Sequence, residues 1–582
     1  MRLDPRILSL VAAALGIAAG CGAQNQYQVV FENNVGMKTR DGVTLLADIY
    51  RPKADGKFPV LLERTPYNKY SNVDSGLKAA ARGYVCIIQD VRGRYASEGV
   101  WYPFKFEPQD GYDSVEWAAT FPYSNGKVGM IGGSYVGATQ MLAAMAAPPH
   151  LVGIYAGVTA SNYHAHWAYQ GGAFEQLLAQ AWCSALSING LDRRVGGTAV
   201  PTHWDLKRPP GDYPLLDSAE VTGLADYYFD WIAHPTYDDY WKQWSIEEHF
   251  AQIQVPVLHL GGWYDIFQDG SIRNYEGIKS HGGSEAARKG QRLVIAPGGH
   301  AGSGPKIGEV DFGKGSNFDT WEYGLRWYDY LMKGIDNGMA QEKPVKIFVM
   351  GKNVWRDEDD WPLARAKPTR YYLHSEGKAN TLTGDGRLSG TLPATEPADR
   401  YVYDPDDPMP THGGAVLGDA KFPPGPLDQR AVECRFDVLV YTTPAFQQDT
   451  EVTGPVRLEL YVSSSAVDTD FTGKLVDVWP NGFAQNLTDG ILRARYRNSM
   501  EKAELMYPGE IYRLVIDLWS TSNVFLAGHK LRVDIASSNF PRFDRNLNSG
   551  GDPESSTADV AATNVIYHDH DHPSALIVPI VP

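Results

Sequence analysis

Val128-Gly129-Met130-Ile131-Gly132-Gly133-Ser134-Tyr135-Val136-Gly137, running on into Ala138-Thr139-Gln140-Met141-Leu142-Ala143-Ala144, decides how this chain folds. An apolar run breaks at two glycines, presents one serine, and resumes in small residues suited to a helix. That is the pattern of a strand, a sharp turn and a helix. Such a turn lifts the serine hydroxyl above the C-terminal edge of a sheet and aims the next backbone amide at the same space. Ser134 is therefore the candidate nucleophile. A tight packing turn has a similar text, and the last glycine stands one place later than in G-x-S-x-G, so the surrounding sequence has to decide.

Upstream, Tyr27 to Phe31, Val43 to Tyr50 and Val60 to Arg64 are strand-like runs separated by turns at Arg40-Asp41-Gly42 and Arg51-Pro52. They predict an edge hairpin leading into a central strand. A buried strand at Tyr84 to Gln89 and a helix from about Gly111 to Ala119 precede the Ser134 strand. Strands alternating with helices indicate a parallel sheet. Downstream, Val255 to Leu260 stops at Gly261-Gly262-Trp263-Tyr264-Asp265, and Leu293 to Ala296 stops at Pro297-Gly298-Gly299-His300. Loops at strand C-termini of an open α/β sheet gather catalytic groups. Ser134, Asp265 and His300 each follow a buried strand, in the order of nucleophile, acid and base found in α/β-hydrolases. Asp265 would orient His300, and His300 would take the Ser134 proton.

Between about 161 and 245 the text turns aromatic and helical, with Trp167, Tyr169, Phe174, Trp182, Tyr227, Tyr228, Phe229 and Trp231, as expected of a cap over the site. From about Pro344 short alternating runs dominate, among them Lys346 to Met350, Arg370 to His374, Val456 to Val462 and Lys530 to Ala536. These predict an all-β sandwich or jelly roll. The expected fold class is α/β: an α/β-hydrolase domain (24–160 and 246–343) interrupted by a helical cap (161–245) and followed by a C-terminal β-sandwich of jelly-roll type (344–582).

With 582 residues the chain needs several cores. The formal net charge of −16 argues against nucleic acid as a partner, since a phosphate backbone demands clustered Lys and Arg. Residues 1–23 carry Arg2 and Arg6, then the apolar stretch Ile7 to Ala19, then Gly20-Cys21, the form of an export signal too short to span a membrane. The expected location is the bacterial periplasm or cell envelope. The ending resembles a lipobox, which would attach the chain to the membrane by a lipid on Cys21; cleavage after Ala23 is the competing reading. Cys86, Cys183 and Cys434 form no disulfide framework, and Cys86 reads as a core residue. Among the histidines, His259 lies inside a strand and reads as core, while His164 and His166 belong to the cap. Tyr567-His568-Asp569-His570-Asp571-His572 invites a metal reading, with three histidines on one strand face, but no dedicated coordination geometry accompanies it. No metal and no cofactor is expected, because serine chemistry needs neither.

The chain resembles the CocE/NonD family of serine hydrolases, which includes cocaine esterases, glutaryl-7-aminocephalosporanic acid acylases, α-amino acid ester hydrolases and X-Pro dipeptidyl-peptidases. The likeness is carried by Arg40-Asp41-Gly42-Val43, Arg64-Thr65-Pro66-Tyr67, Asp90-Val91-Arg92-Gly93-Arg94, Ser97-Glu98-Gly99, Gly126 to Met130, Gly133-Ser134-Tyr135 and Gly262-Trp263-Tyr264-Asp265. In the last domain Tyr441-Thr442-Thr443, Asp468 to Phe471, Gly528 to Val533 and Ser538 to Arg542 fit as well. The family writes its turn as G-x-S-Y-x-G, which accounts for the displaced glycine. By this resemblance Ser134, Asp265 and His300 form the triad, and the Tyr67 hydroxyl and Tyr135 amide form the oxyanion hole. Trp167, Trp182 and Phe267 match aromatic acyl-pocket positions. In the α-amino acid ester hydrolases acids stand two and three places after the catalytic Asp; here those places hold Phe267 and Gln268, which speaks against α-aminoacyl selectivity. The implied partner is a small ester or amide substrate. The alternatives are an X-Pro dipeptidyl-peptidase or aminoacyl amidase and, from another class, an inactive surface-binding protein.

Overall fold

The computed structural model describes residues 26–195, 223–300, 302, 304–418, 421–551 and 556–582. The expected export segment 1–23 with Cys21, and residues 196–222 of the expected cap, lie outside the described residues.

The first half is built on one ten-stranded sheet. The hairpin β1 (Val29–Lys38) and β2 (Thr44–Pro52) forms its edge, antiparallel throughout. Then come β3 (Phe58–Thr65), β4 (Val85–Asp90), β5 (Ser124–Gly133) and β6 (Leu151–Gly157). The order in space is β1-β2-β4-β3-β5-β6, continued below. From β4 through β6 neighbouring strands run parallel. Their side chains divide by period two: Val60, Leu62, Val85, Ile87, Val128 and Met130 enter one core, while Leu61, Cys86, Ile88 and Ile131 enter another. A sheet apolar on both faces must be covered on both. Helices α1 (Val73–Ala81), α2 (Glu107–Ala119) and α3 (Tyr135–Met145) share that work, with Val115, Ala118, Met141 and Leu142 on the first face and Ala79 and Ala80 on the second.

The cap follows. A five-residue π turn, His164–Ala168, leads into a short hairpin of β7 (Tyr169–Gln170) and β8 (Ala173–Phe174), and then α4 (Gln176–Val195), α5 (Asp226–Ala233) and α6 (Asp239–Lys242). The chain re-enters the sheet as β9 (Val257–Tyr264), α7 (Gln268–His281) and β10 (Arg292–Gly299), with β6, β9 and β10 parallel. A further helix, Thr320–Lys333, lines the second face through Leu325, Trp327, Tyr328 and Met332. Its N-cap Asp319 accepts the Glu322 amide at 2.9 Å, and Gly334 ends it in the left-handed conformation.

The boundary expected at 343/344 has to be moved. The strand Val345–Val349, assigned above to the all-β part, pairs parallel with β10, and Val354–Glu358 closes the same sheet antiparallel to it. The run β10, helix Thr320–Lys333, Val345–Val349 is one more strand-helix-strand unit, and its local text alone does not say which sheet the last strand joins. The all-β part proper begins with Lys367–His374 and carries eleven strands, including Thr450–Ser464, Asp470–Val478, Ala484–Arg493, Tyr512–Phe525 and Lys530–Ala536. Among the described residues these strands pair antiparallel with one another except at Arg387 and Thr442, where the short strand Arg387–Ser389 runs parallel to its neighbour Leu439–Thr442. Leu458, Leu460, Phe471, Leu475, Ile516, Val533 and Ile535 fill the core.

Two seams lock this part against the first. The β7–β8 hairpin exchanges Phe174 N to Asp544 Oδ1 (2.7 Å) and Asp544 N to Phe174 O (2.9 Å), and Arg542 donates to Gln170 Oε1 (3.0 Å). At the end of β9 the Tyr264 hydroxyl donates to Asn486 O (2.9 Å).

Candidate active site

Ser134 sits between β5 and α3 with φ 62° and ψ −131°, a backbone conformation that non-glycine residues rarely adopt. Its neighbours make the turn sterically feasible. Gly132 has φ 136°, and a Cβ on Gly137 would lie 2.8 Å from the Gly157 carbonyl oxygen of β6, so α3 can start hard against the sheet. The Ser134 amide donates to Gly157 O at 3.0 Å and fixes the height of the turn.

Asp265, immediately after β9, is fully buried and accepts the Phe267 amide at 2.6 Å. His300 follows β10 at a register shift between Ala296 and Gly299. Its Nε2 stands 2.8 Å from Ser134 Oγ, and its Nδ1 lies 3.3 and 3.4 Å from the two Asp265 oxygens. The second contact is long for a hydrogen bond, as catalytic contacts often are before substrate binds. One proton path thus joins three residues separated by up to 166 positions. The chain can deprotonate the hydroxyl and stabilise the imidazolium that results.

Tyr67, in the loop after β3, brings its phenol to the same place. The hydroxyl accepts Trp182 Nε1–H at 3.1 Å and faces the Ser134 side chain and the Tyr135 backbone amide. Burial raises its pKa, against the opposing pull of those three partners, so the phenol stays protonated and can donate. Tyr135 is the first residue of α3, where the helix leaves its amide without an intrahelical acceptor. Its ring is held from behind: the hydroxyl donates to Glu107 Oε1 (3.0 Å) and accepts the Phe104 amide (2.9 Å), while Glu107 pairs with buried Arg64 at 2.7 Å. Two donors, the Tyr67 hydroxyl and the Tyr135 amide, therefore flank Ser134 Oγ.

The three aromatic residues expected at the acyl side converge here. Trp167 stacks on Phe267 with centroids 4.6 Å apart, meets Trp182 edge-on at 5.3 Å, and Phe267 meets the His300 ring at 5.2 Å. Trp101, Tyr227 and Trp231 extend this wall through Trp182, at 5.6, 6.3 and 6.0 Å. In the sequence Tyr227 and Trp231 read only as cap aromatics, and nothing marks Trp101, which lies in an irregular loop without periodicity. Gln268 turns away from the site, donating to Ser520 O and accepting the Ser520 amide (3.3 Å).

Other candidates are not brought in. His259 is buried in β9 against Gln291 (2.7 Å), and burial lowers its pKa to about 4. His164 contacts Pro235 O (3.0 Å) and is likewise lowered to about 4. His166 pairs with Asp269 at 3.0 Å. The strand Ala562–Tyr567 ends before His568, so the three tail histidines share no strand face. His568 is buried on Asp399 (2.9 Å), His572 reaches Asp569 (3.1 Å), and His570 is exposed. Among the described residues no group of three or more His, Cys, Asp or Glu is arranged to hold a metal ion.

Residues 41–302 match the family model of the X-Pro dipeptidyl-peptidase (S15 family), and 337–577 that of the X-Pro dipeptidyl-peptidase C-terminal non-catalytic domain. A cocaine esterase from a Rhodococcus species is 38% identical over 575 residues, spanning 94% of this chain and 98% of its own. Two solved structures have the same fold. An α-amino acid ester hydrolase superposes with a TM-score of 0.82 at 23% identity, covering 99% of this chain and 100% of its own. An aminopeptidase from a marine-sediment archaeon of the Thaumarchaeota superposes with 0.80 at 24%, covering 98% and 99%. With that identity sustained over nearly the full length of both chains, this protein belongs to the CocE/NonD family of serine hydrolases, which it shares with the S15 dipeptidyl-peptidases.

Proposed function

We propose that the protein hydrolyses esters of small, flat or apolar acyl groups through a covalent intermediate on Ser134. The observation that carries this is the 2.8 Å contact of His300 Nε2 with Ser134 Oγ beside two convergent donors. His300 takes the hydroxyl proton as Ser134 attacks the carbonyl carbon, and Asp265 holds the ring and balances its charge. The carbonyl oxygen becomes an anion between the Tyr67 hydroxyl and the Tyr135 amide. His300 then gives its proton to the departing alcohol, and water repeats the sequence to release the acid. The Trp167, Trp182 and Phe267 rings suit an apolar acyl group, and the similarity to a cocaine esterase favours ester over amide cleavage.

The test is a matched panel: the same acyl groups as nitrophenyl esters and nitroanilides, with a Gly-Pro anilide for dipeptidyl cleavage. Esters should turn over fastest, and Ser134→Ala should lose at least about a thousandfold in kcat. No turnover, or turnover indifferent to Ser134, would mean a fold without this chemistry and move the surface-binding alternative to the front. The basic and apolar start of the chain, Arg2 to Ala19, supports export; the intact mass of membrane-extracted protein distinguishes lipid on Cys21 from cleavage after Ala23.

A further inference from the structure

Two arginines separated by a single glycine behave differently. Arg92 is neutralised by two carboxylates, Asp41 at 2.8 Å and Asp110 at 2.6 Å. Arg94, 2% exposed, has no ion-pair partner among the described residues. Its Nε donates to Pro66 O at 3.0 Å, its Nη1 donates to Leu186 O at 2.9 Å, and its Nη2 has no hydrogen-bond partner. Its guanidinium carbon lies 4.7 Å from the centre of the Trp101 ring. A buried guanidinium without a counter-ion is expensive, so what it touches is informative.

Pro66 is the residue before Tyr67. Leu186 lies one helical turn after Trp182 on α4. Trp101 packs against Trp182 at 5.6 Å. All three contacts thus converge on the two partners of the hydrogen bond from Trp182 Nε1 to the Tyr67 hydroxyl. The loop around Arg94 is bolted to α4 elsewhere too: the Tyr95 amide donates to Asn189 Oδ1 (3.1 Å), and Arg193 donates to Tyr95 O (2.7 Å) and Ser97 O (2.8 Å).

We propose that Arg94 is a positioning residue for the oxyanion hole, its fork holding the Tyr67 loop and the cap helix at the spacing that aims the Tyr67 phenol at Ser134. Two fixed N–H vectors on one planar group set a distance that a lysine, with a single point charge on a flexible stem, does not. Its unneutralised charge also favours an anion forming beside Tyr67. The inference rests on the reading of Ser134 and Tyr67 given above.

The test is a double-mutant cycle of Arg94→Met and Trp182→Phe on the best ester of the panel. Arg94→Met should lower kcat about ten- to a hundredfold with KM changed less than about threefold, and should slow Ser134 phosphonylation by a similar factor. In the Trp182→Phe background, where the indole donor is gone, most of that loss should disappear. Should Arg94→Met fail to fold, Arg94→Lys carries the same cycle, keeping the charge, losing the two-carbonyl fork and reducing kcat to a smaller extent. Wild-type kcat in a folded Arg94 variant, a loss confined to KM, or strict additivity with Trp182→Phe overturns the proposal. A wild type without Ser134-dependent turnover overturns the functional reading, and this one with it; an active wild type with an equally active Arg94→Met overturns only the role of Arg94.

Discussion

At the scale of single residues, the site separates side chains that a sequence announces from those it does not. Ser134, Asp265 and His300 are announced because each closes a run of buried apolar residues, and a strand end is where an open sheet presents groups to a ligand. Tyr67 is announced by nothing local: it is a loop tyrosine that only the family resemblance singles out. Its geometry makes a definite prediction. Tyr67→Phe removes the hydroxyl that accepts from Trp182 and faces Ser134, leaving the Tyr135 amide as the remaining donor of the proposed oxyanion hole. Loss of one such donor costs about 100- to 1,000-fold in kcat, with KM little changed because the ground-state carbonyl is bound chiefly through its acyl group. Steady-state kinetics on the preferred ester decides it. A loss seen in KM with kcat intact would mean that Tyr67 binds substrate and does not serve the transition state.

At the scale of elements, the turn between β5 and α3 stores strain that its glycines make tolerable. Gly137→Ala would place a Cβ 2.8 Å from both Gly157 O and Thr159 Cβ, backbone and near-backbone atoms that cannot swing aside. Overpacking of this kind costs about 1–3 kcal/mol, and relief by tilting α3 would carry the Ser134 hydroxyl off His300. A lowered urea midpoint together with reduced kcat is expected; wild-type stability would show the helix start to be looser than its contacts imply. The parallel strands were legible because doubly buried strands are written as unbroken apolar runs. The strand Val345–Val349 was legible as a strand but not as a member of the first sheet, since period-two text is the same in either. What joins it to β10 is the helix Thr320–Lys333 in between. The contacts of Arg94 and Trp182 span 92 and 115 residues, and separations of that size leave no periodic trace.

At the scale of the whole molecule, pH acts on stability through buried groups outside the Ser134–His300–Asp265 set, and it acts with opposite signs. His259 and His164 are buried, with pKa values lowered to about 4 by loss of solvation. In the unfolded chain a histidine titrates near 6.5. Between those values the unfolded state binds the extra proton, so their stabilisation is complete above about pH 6.5 and is lost as pH falls toward 4. Glu63 in β3 is buried and held by Asn72, with its pKa raised to about 7, against an unfolded value near 4.3. There the folded state binds the extra proton, so its contribution is complete below about pH 4.3 and is lost as pH rises through 7. The wild-type profile sums these terms and identifies none of them. Variants isolate one of each sign. The difference in unfolding free energy between wild type and His259→Gln should shift against the wild type by about 1.4 kcal/mol for each pH unit descended from 6.5 toward 4. The corresponding difference for Glu63→Gln should shift against the wild type as pH rises from about 4.5 to 7. Urea unfolding of the three proteins at pH 5, 6 and 7 tests both slopes at once. Two flat differences would mean that water reaches these side chains in the folded protein and that the core around β3 and β9 is less dry than its packing implies.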